Sequence, residues 1–417
     1  MHSILRKSNT VWQFHFIYKP LIKFPVEFGY MERDVPFCHK VLRIIKKLLS
    51  EFFLSFNYRE KDYVVLKGKV VFIALTNNQY YTIKEVHENL ANSIVFSPKL
   101  YSDILPHHHT HRLFINRLTF LRELIPQNFY LRRMLKEHYK ELFTIGYYNV
   151  GFISAYRNVL QKNRPQAIVF TNDVHPHLRS IVKAADDLGI PTIYIQHCTA
   201  SQIFPMIEYD YALLEGRHSI EKYNISKSTV VKLIGMPKFD KYALQINENE
   251  VIKTIGIAIN AQDNDEGKIL KLFQELQKIN DIKIIFRPHQ ALFPFKSKYS
   301  WNEFSDPFKE ESFAFLRKID LLIAGNSSIH QEAALLNITC FHINLAVNNY
   351  GDYFDFIKNE ISLKVEVADI FKKIEDMKSK RYFPLPKMKF YNDVIDSPSY
   401  GKSAVLAAEY IDQVVNV

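Results

Sequence analysis

Glycine is scarce in this chain, 12 of 417 residues, against about 7% in average usage. No G-x-G-x-x-G and no G-x-x-x-x-G-K-[ST] run occurs. Neither the dinucleotide fingerprint nor the P-loop can be formed, because both need glycine where the backbone closes on a phosphate. Cysteine is scarcer still. Cys38, Cys198 and Cys340 are odd in number, far apart and without a C-x-x-C pair. That excludes a disulfide scaffold and a cysteine zinc site, and it fits a reducing compartment. Long apolar runs are missing too: none reaches the roughly 18 residues of a membrane span. Residues 1–23 are broken by Lys, His and Pro where a signal peptide needs an apolar stretch. The expectation is a cytoplasmic protein, with a peripheral seat on the inner face of the cytoplasmic membrane left open.

What is present is globular material, with 47% hydrophobic, 14% aromatic and 24% charged residues, enough for two or three domains with sizeable cores. The net charge is 54 − 44 = +10, and it is unevenly spread. Residues 1–150 hold 22 Lys/Arg against 12 Asp/Glu, whereas residues 151–417 hold 32 against 32. That split disfavours a uniformly basic nucleic-acid coat, and no RNA or DNA motif accompanies it, so no nucleic-acid partner is expected. The excess points to a local anionic partner of the N-terminal region. Val41, Ile44, Ile45, Leu48, Leu49, Phe52, Phe53 and Phe56 recur at helical spacing, with Lys40, Arg43, Lys46 and Lys47 on the other face. Such a basic amphipathic helix suits an anionic bilayer surface, through residues 36–56. The commoner reading is a domain helix that packs its stripe on the core.

From about residue 64 strand and helix patterns alternate. Residues 70–76 and 93–96 read as strands, and 112–161 as a helical tract interrupted near Pro126. Residues 167–172 (AIVFTN) read as a strand, 177–188 as a helix, Gly189-Ile190-Pro191 as a stop and 192–197 (TIYIQH) as the next strand. That is a βαβ unit with strands buried on both faces. Short strands follow at 209–214 and 230–234. After the polar break Asn247-Glu248-Asn249-Glu250 a second series has strands at 253–260, 283–286, 321–324 and 339–343, and helices at 266–280, 309–318 and 328–336. The reading is α/β with two Rossmann-type domains. Residues 1–245 form the first, with the basic segment; residues 246–417 form the second, with a last helix free to pack back on the first. Ligands of such sheets bind beyond the carboxyl ends of the strands.

Three polar groups fall at those ends. Strand 321–324 runs into Gly325-Asn326-Ser327-Ser328 and a helix, a turn that offers hydroxyls and free N–H groups to a phosphate. Glu332, one turn on, shares Ser328's face and is placed to accept from a ribose hydroxyl. An ordinary serine N-cap explains the same turn. Strand 283–286 ends in Arg287-Pro288-His289-Gln290. Read as the adjacent parallel strand, it sets a cation and an imidazole beside the Ser-Ser turn, suited to a leaving phosphate. In the first domain, Asn172-Asp173-Val174-His175-Pro176-His177 and Gln196-His197-Cys198-Thr199 end neighbouring strands. They bring Asp173, His175 and His197 to one crevice, where a carboxylate or imidazole can deprotonate an acceptor hydroxyl. Helix capping accounts for Asp173 or His177 singly. His107, His108, His109 and His111 lack acidic or cysteine companions and read as a solvated loop. Asp263-Asn264-Asp265 reads as an accidental D-x-D, so no metal is expected.

Residues 189–197 (GIPTIYIQH) resemble the GIPTIYIQHG segment of bacterial capsule and surface-polysaccharide biosynthesis transferases, which have the two-domain GT-B fold. Residues 233–240 (LIGMPKFD) resemble their GxPxxD segment. Arg287-Pro288-His289 resembles the HP motif of bacterial sialyltransferases and polysialyltransferases, and residues 324–334 (AGNSSIHQEAA) the GxSSxxxEA motif. The matches keep their order over residues 167–345, and residues 1–160 match nothing. Gln290 stands where the family has a second Pro, and Cys198 where it has Gly. The acidic string that carries the sialyltransferase base occurs only as Asp265-Glu266-Gly267, in the second domain, and reads as a loop and helix start.

The resemblance implies a metal-independent GT-B glycosyltransferase of capsule or lipopolysaccharide biosynthesis, its two domains facing a central cleft. His289 would contact the donor phosphate and Ser327 and Ser328 would hold it, with Arg287, Gly325, Asn326 and Glu332 completing the donor site. Asp173 or His197 would be the base, and His175, Gln196 and Thr199 would lie on the acceptor side. No cofactor is implied. The nucleotide sugar is the substrate, a CMP-activated nonulosonic acid in the preferred reading, and the acceptor is a glycan or lipid-linked glycan. A CDP-glycerol or CDP-ribitol polyol-phosphate transferase is the nearest alternative. A nucleotide-sugar 2-epimerase shares the fold, and a membrane-docked, non-catalytic glycan-binding component is the non-enzymatic alternative.

Overall fold

The computed structural model describes residues 64–96, 152–171, 176–201, 204, 206–260, 262–289, 303–347 and 351–416, with helical positions Leu42, Ile45, Lys46 and Leu49. The first sheet has six parallel strands: β1 Val70–Ile73, β2 Ser93–Phe96, β3 Ala167–Phe170, β4 Thr192–Ile195, β5 Tyr211–Leu214 and β6 Val230–Leu233. Their order is β2-β1-β3-β4-β5-β6. The runs VVFI, AIVF and TIYI lie inside the sheet and are buried at every position, as a parallel strand covered on both faces requires. Helix α1 (Asn77–Glu88) follows β1, capped by Thr76, whose hydroxyl accepts from Gln79 N at 3.3 Å. Helix α2 (Pro176–Asp187) joins β3 to β4 and begins with a proline, where the missing N–H costs nothing. Gly189 lies at φ +60° just past its end, and Arg164 donates to the Leu188 and Gly189 carbonyls at 2.6 and 2.7 Å. The βαβ unit of the sequence is thus present.

The second sheet has five parallel strands: β7 Thr254–Ile259, β8 Lys283–Pro288, β9 Leu321–Ala324, β10 Thr339–His342 and β11 Leu363–Lys364. Their order is β11-β10-β9-β7-β8. One expectation is corrected here. The strand ending in Arg287 is not adjacent to the strand entering the Ser-Ser turn, because β7 lies between them. Helix α3 (Glu266–Leu276) is capped by Asp265, whose carboxylate accepts from Lys268 N at 3.1 Å. Asp265-Glu266-Gly267 is therefore a helix start. Helix α4 (Ile329–Leu335) follows the Ser-Ser turn.

The GxPxxD-like segment is shared by both domains. Gly235 has φ +77°, and a Cβ there would lie 2.6 Å from Ser403 Oγ and 2.7 Å from Asn392 Oδ1, so only glycine fits. Met236, Phe239 and Tyr242 pack into the second-domain core with Phe313 and Leu316. The Asp240 carboxylate accepts from Ala404 N at 2.7 Å and so caps the start of the last helix, α5 (Ser403–Val415). That helix lies on the first sheet, where Ala404, Ala407, Ala408 and Ile411 meet Val70, Phe72, Val169 and Ile193.

Leu42, Ile45 and Leu49 are 61%, 46% and 53% exposed. The rest of the basic amphipathic tract, residues 112–151 and the four loop histidines lie outside the described residues. Among those described, no helix is long and apolar enough to cross a membrane.

Candidate active site

Each sheet reverses its strand order once, between β1 and β3 in the first and between β7 and β9 in the second. At such a point the two connections leave in opposite directions and open a crevice at the carboxyl ends. Both crevices face one cleft of about 570 Å³. The first domain lines it with Thr76, Asn77, Asn78 and Tyr81 at the start of α1, and with Lys238. The second contributes Asn260, Arg287, His289, Ser327, Ser328 and Glu332, and a rim at residues 307–313 that carries the exposed Phe308.

Ser328 holds the N-cap position of α4, yet its side chain makes no capping bond. Ser327 Oγ accepts one long bond, 3.4 Å from Ile329 N. An ordinary serine cap therefore does not account for the pair. Because α4 has only seven residues, the turn offers an anion its hydroxyls more than a helix end. Gly325 and Asn326 do not line the cleft, which corrects their assignment as direct ligands of the donor. They shape the turn from behind. A Cβ at Gly325 would strike the Asp263 carboxylate, which accepts from Asn260 N at 2.7 Å and which burial lifts to a pKa of about 6. Asn260 Nδ2 donates to the Asn326 carbonyl at 2.8 Å, tying the ends of β7 and β9 together. Asn326 itself donates to the Gly351 carbonyl at 3.0 Å and pairs with His342 Nε2 at 3.2 Å. Beneath it His330 bridges the Gly325 carbonyl and the Ser362 hydroxyl, both at 3.0 Å, and burial holds it neutral, with a pKa of about 3. The D-x-D string serves this local framework: Asn264 Oδ1 accepts from Val347 N at 3.0 Å, beside the Asp265 cap.

Arg287 and His289 leave the end of β8. The Arg287 guanidinium donates to Ser305 Oγ at 2.5 Å and to the Glu310 carbonyl at 2.9 Å. Burial lowers its pKa while Glu310 and Glu332 pull it back. His289 N donates to the Ile259 carbonyl at 2.9 Å, which docks its backbone on β7. Desolvation pushes its ring, which lines the cleft, below the ordinary histidine value, a shift that favours the neutral imidazole.

The floor between the domains holds residues that the sequence did not single out. Lys238 Nζ meets Glu332 Oε1 at 2.5 Å, both side chains 7% exposed. Glu332 is thus ion-paired across the domain boundary, where the sequence reading had it free for a ribose. Burial lowers the Lys238 pKa, but Glu332 and Glu215 outweigh that and raise it. Behind Lys238, Glu215 Oε2 accepts from Gln331 Nε2 at 2.7 Å and lies 3.4 Å from Gln196 Nε2. Burial lifts Glu215 to about 7, against Lys238 and Gln331. Thr199 Oγ1 donates to Gln331 Oε1 at 2.5 Å. Thr199 is therefore an interdomain brace, while Gln196 is tied to Glu215 within the first domain; at 2% and 1% exposure, neither lines the cleft as an acceptor side would. His197, partly exposed, does not line the cleft either. Desolvation, then Lys238, push its pKa to about 3, far from that of an efficient base at neutral pH. Asp173 and His175 lie outside the described residues. The one sequence signal for Lys238 was its place inside the GxPxxD-like segment.

No family model and no curated protein sequence matches the chain. Solved structures do. CalG4, the calicheamicin glycosyltransferase, matches with TM-score 0.53 and 9% identity over 84% of this chain and 98% of its own. The wall teichoic acid polymerase TagF, soaked with CDPG, matches with TM-score 0.51 and 13% identity over 91% and 97%. UDP-GlcNAc 2-epimerase from Methanocaldococcus jannaschii, in complex with UDP-GlcNAc and UDP, matches with TM-score 0.50 and 15% identity over 83% and 99%. The architecture of this chain is that of the GT-B glycosyltransferases and these epimerases, two Rossmann-like domains facing a cleft.

Proposed function

We propose that the chain is a GT-B glycosyltransferase of bacterial surface-polysaccharide biosynthesis that uses a CMP-activated nonulosonic acid as donor and a glycan, free or lipid-linked, as acceptor. The observation that carries this reading is the meeting of both switch-point crevices on one cleft, with Ser327, Ser328, Arg287 and His289 together on its second-domain wall. Hydroxyls, a neutral imidazole and a guanidinium suit a phosphate that gains charge as the sugar leaves, so catalysis here is electrostatic and positional. The acceptor enters from the first domain, and Asp173 remains the base assigned from sequence. With a CMP-nonulosonic acid donor, CMP release is expected to depend on an added glycan acceptor. Epimerised sugar formed from UDP-GlcNAc without any acceptor would replace this reading with the epimerase.

A second reading, transfer of a polyol phosphate from CDP-glycerol or CDP-ribitol, draws on the likeness to TagF, which extends over 91% of this chain. Parallel reactions with CDP-glycerol and a CMP-sugar separate the two.

The cytoplasmic membrane surface is the place proposed for this reaction. Leu42, Ile45 and Leu49 are exposed at i, i+3 and i+7 of a helical stretch that also holds Lys46. Deleting residues 1–60, net 10 − 5 = +5, is expected to weaken binding to anionic vesicles and to lessen its salt dependence. Unchanged binding would move the contact elsewhere.

A further inference from the structure

Three cations line the described part of the cleft, and they are not equivalent. Lys309 stands on the rim, its side chain 83% exposed. Arg287 has donors committed to Ser305 and Glu310. Lys238 is the most enclosed, and apart from Glu332 its hydrogen-bonding contact is a long one, 3.4 Å to Asn78 Oδ1. It leaves the first domain just after β6 and reaches a carboxylate on the second domain, one helical turn beyond Ser328.

A buried ammonium cannot be left without a counter-charge, whereas exchanging one anion for another leaves it paired throughout. A phosphate seated on Ser327 and Ser328 would arrive within a turn of the Glu332 carboxylate. Two anions that close repel each other unless a cation moves between them. The ammonium is already there, on a flexible stem that can turn from one to the other.

We propose that Lys238 binds phosphate by exchange: it pairs with Glu332 in the empty cleft and with the phosphate of the donor in the filled one, releasing Glu332 to accept from donor hydroxyls. This rests on the reading of the cleft as a donor site. The exchange makes the cleft selective for phosphorylated ligands over their nucleosides, and it links recognition of phosphate to recognition of the group beside it. Lys238 lies on the segment shared by both domains and beside Asn78 of the first, so the same step draws the two walls onto one ligand.

Calorimetric titration of the full chain with pyrophosphate, CMP and cytidine tests this in the wild type and in Lys238→Met, Lys238→Arg and Glu332→Gln. Lys238→Met is expected to weaken pyrophosphate and CMP by about 10-fold or more, the size of one charge-assisted bond, and to leave cytidine nearly unchanged. Lys238→Arg restores most of the loss. Glu332→Gln, which no longer competes for the ammonium, binds pyrophosphate more tightly than the wild type. An unchanged phosphate affinity in Lys238→Met overturns the proposal, and so does an equal loss for cytidine, the mark of a merely structural lysine. Should Lys238→Met fail to fold, the absence of any gain in Glu332→Gln overturns it instead. Wild-type binding of CMP with no such order among the variants sinks the exchange alone. The expected order for pyrophosphate without any nucleotide binding sinks the donor-site reading alone, and binding of neither sinks both.

Discussion

Replacing His289 by alanine is expected to slow transfer by about 10²- to 10³-fold, the cost of removing one preorganised donor from a developing oxyanion. The reasons are local. The His289 backbone is held on β7 through the Ile259 carbonyl, whatever the side chain, so the wall stands in the variant. Desolvation lowers its pKa and so favours the neutral ring, which carries one N–H donor. Its neighbour Arg287 cannot easily replace it, since that guanidinium is anchored to Ser305 and Glu310. The loss should appear in kcat with little change in melting temperature. A variant with the wild-type rate would remove His289 from the donor wall.

Glu215→Gln is expected to abolish a pH dependence of stability that the interdomain floor imposes. Burial raises the folded-state pKa of Glu215 from 4.5 to about 7. Between those values the folded protein binds the proton and the unfolded chain does not, so wild-type stability falls as pH rises through this window and stays lowered above it. A shift of that size corresponds to about 3 kcal/mol at 1.36 kcal/mol per pK unit. Glutamine cannot ionise, and its amide oxygen can still accept from Gln331. The variant should match the wild type near pH 4.5 and exceed it by up to about 3 kcal/mol at pH 8. Urea unfolding at the two pH values measures this, and a wild-type slope retained in Glu215→Gln would place the titration elsewhere.

Much of the fold was legible because its strands are short, β-branched and buried on both faces. AIVF and TIYI, separated by a helix and a Gly-Ile-Pro stop, leave few alternatives to a parallel pair. The order of the strands was not legible, and β7 between β8 and β9 appears only once the sheet is assembled. The last helix, which the sequence reading left free to pack back on the first domain, has a contact surface made of alanines. Ala404, Ala407 and Ala408 lie close on the first sheet yet form no strong apolar stripe. Within the site, Ser327, Ser328, Arg287 and His289 could be found because each follows directly on an apolar strand. Lys238 could not, for its partner Glu332 is 94 positions away and in the other domain. The same holds for Thr199 and Gln331, 132 positions apart. Gln196 and Thr199 were read as acceptor-side residues because they end a strand. The domain contact of Thr199 with Gln331 is invisible in one dimension.

The uneven charge of the chain fits this division of work. The neutral part from residue 151 onward holds the proposed donor wall, and the basic excess lies in the N-terminal third, which a negatively charged membrane surface would attract.

The central claim, that the cleft binds a cytidine-activated donor on its second-domain wall, is tested most directly by nucleotide-dependent thermal stabilisation. The panel is CMP, CDP, UDP and GDP, measured on the wild type and on the Ser327→Ala, Ser328→Ala double variant. A ligand that binds only the folded state at 100 times its Kd stabilises it by about 2.7 kcal/mol, which a melting curve resolves readily. The account predicts that CMP or CDP raises the melting temperature of the wild type, that UDP and GDP do not, and that the double variant loses the response. Stabilisation by UDP without any by CMP or CDP would contradict it.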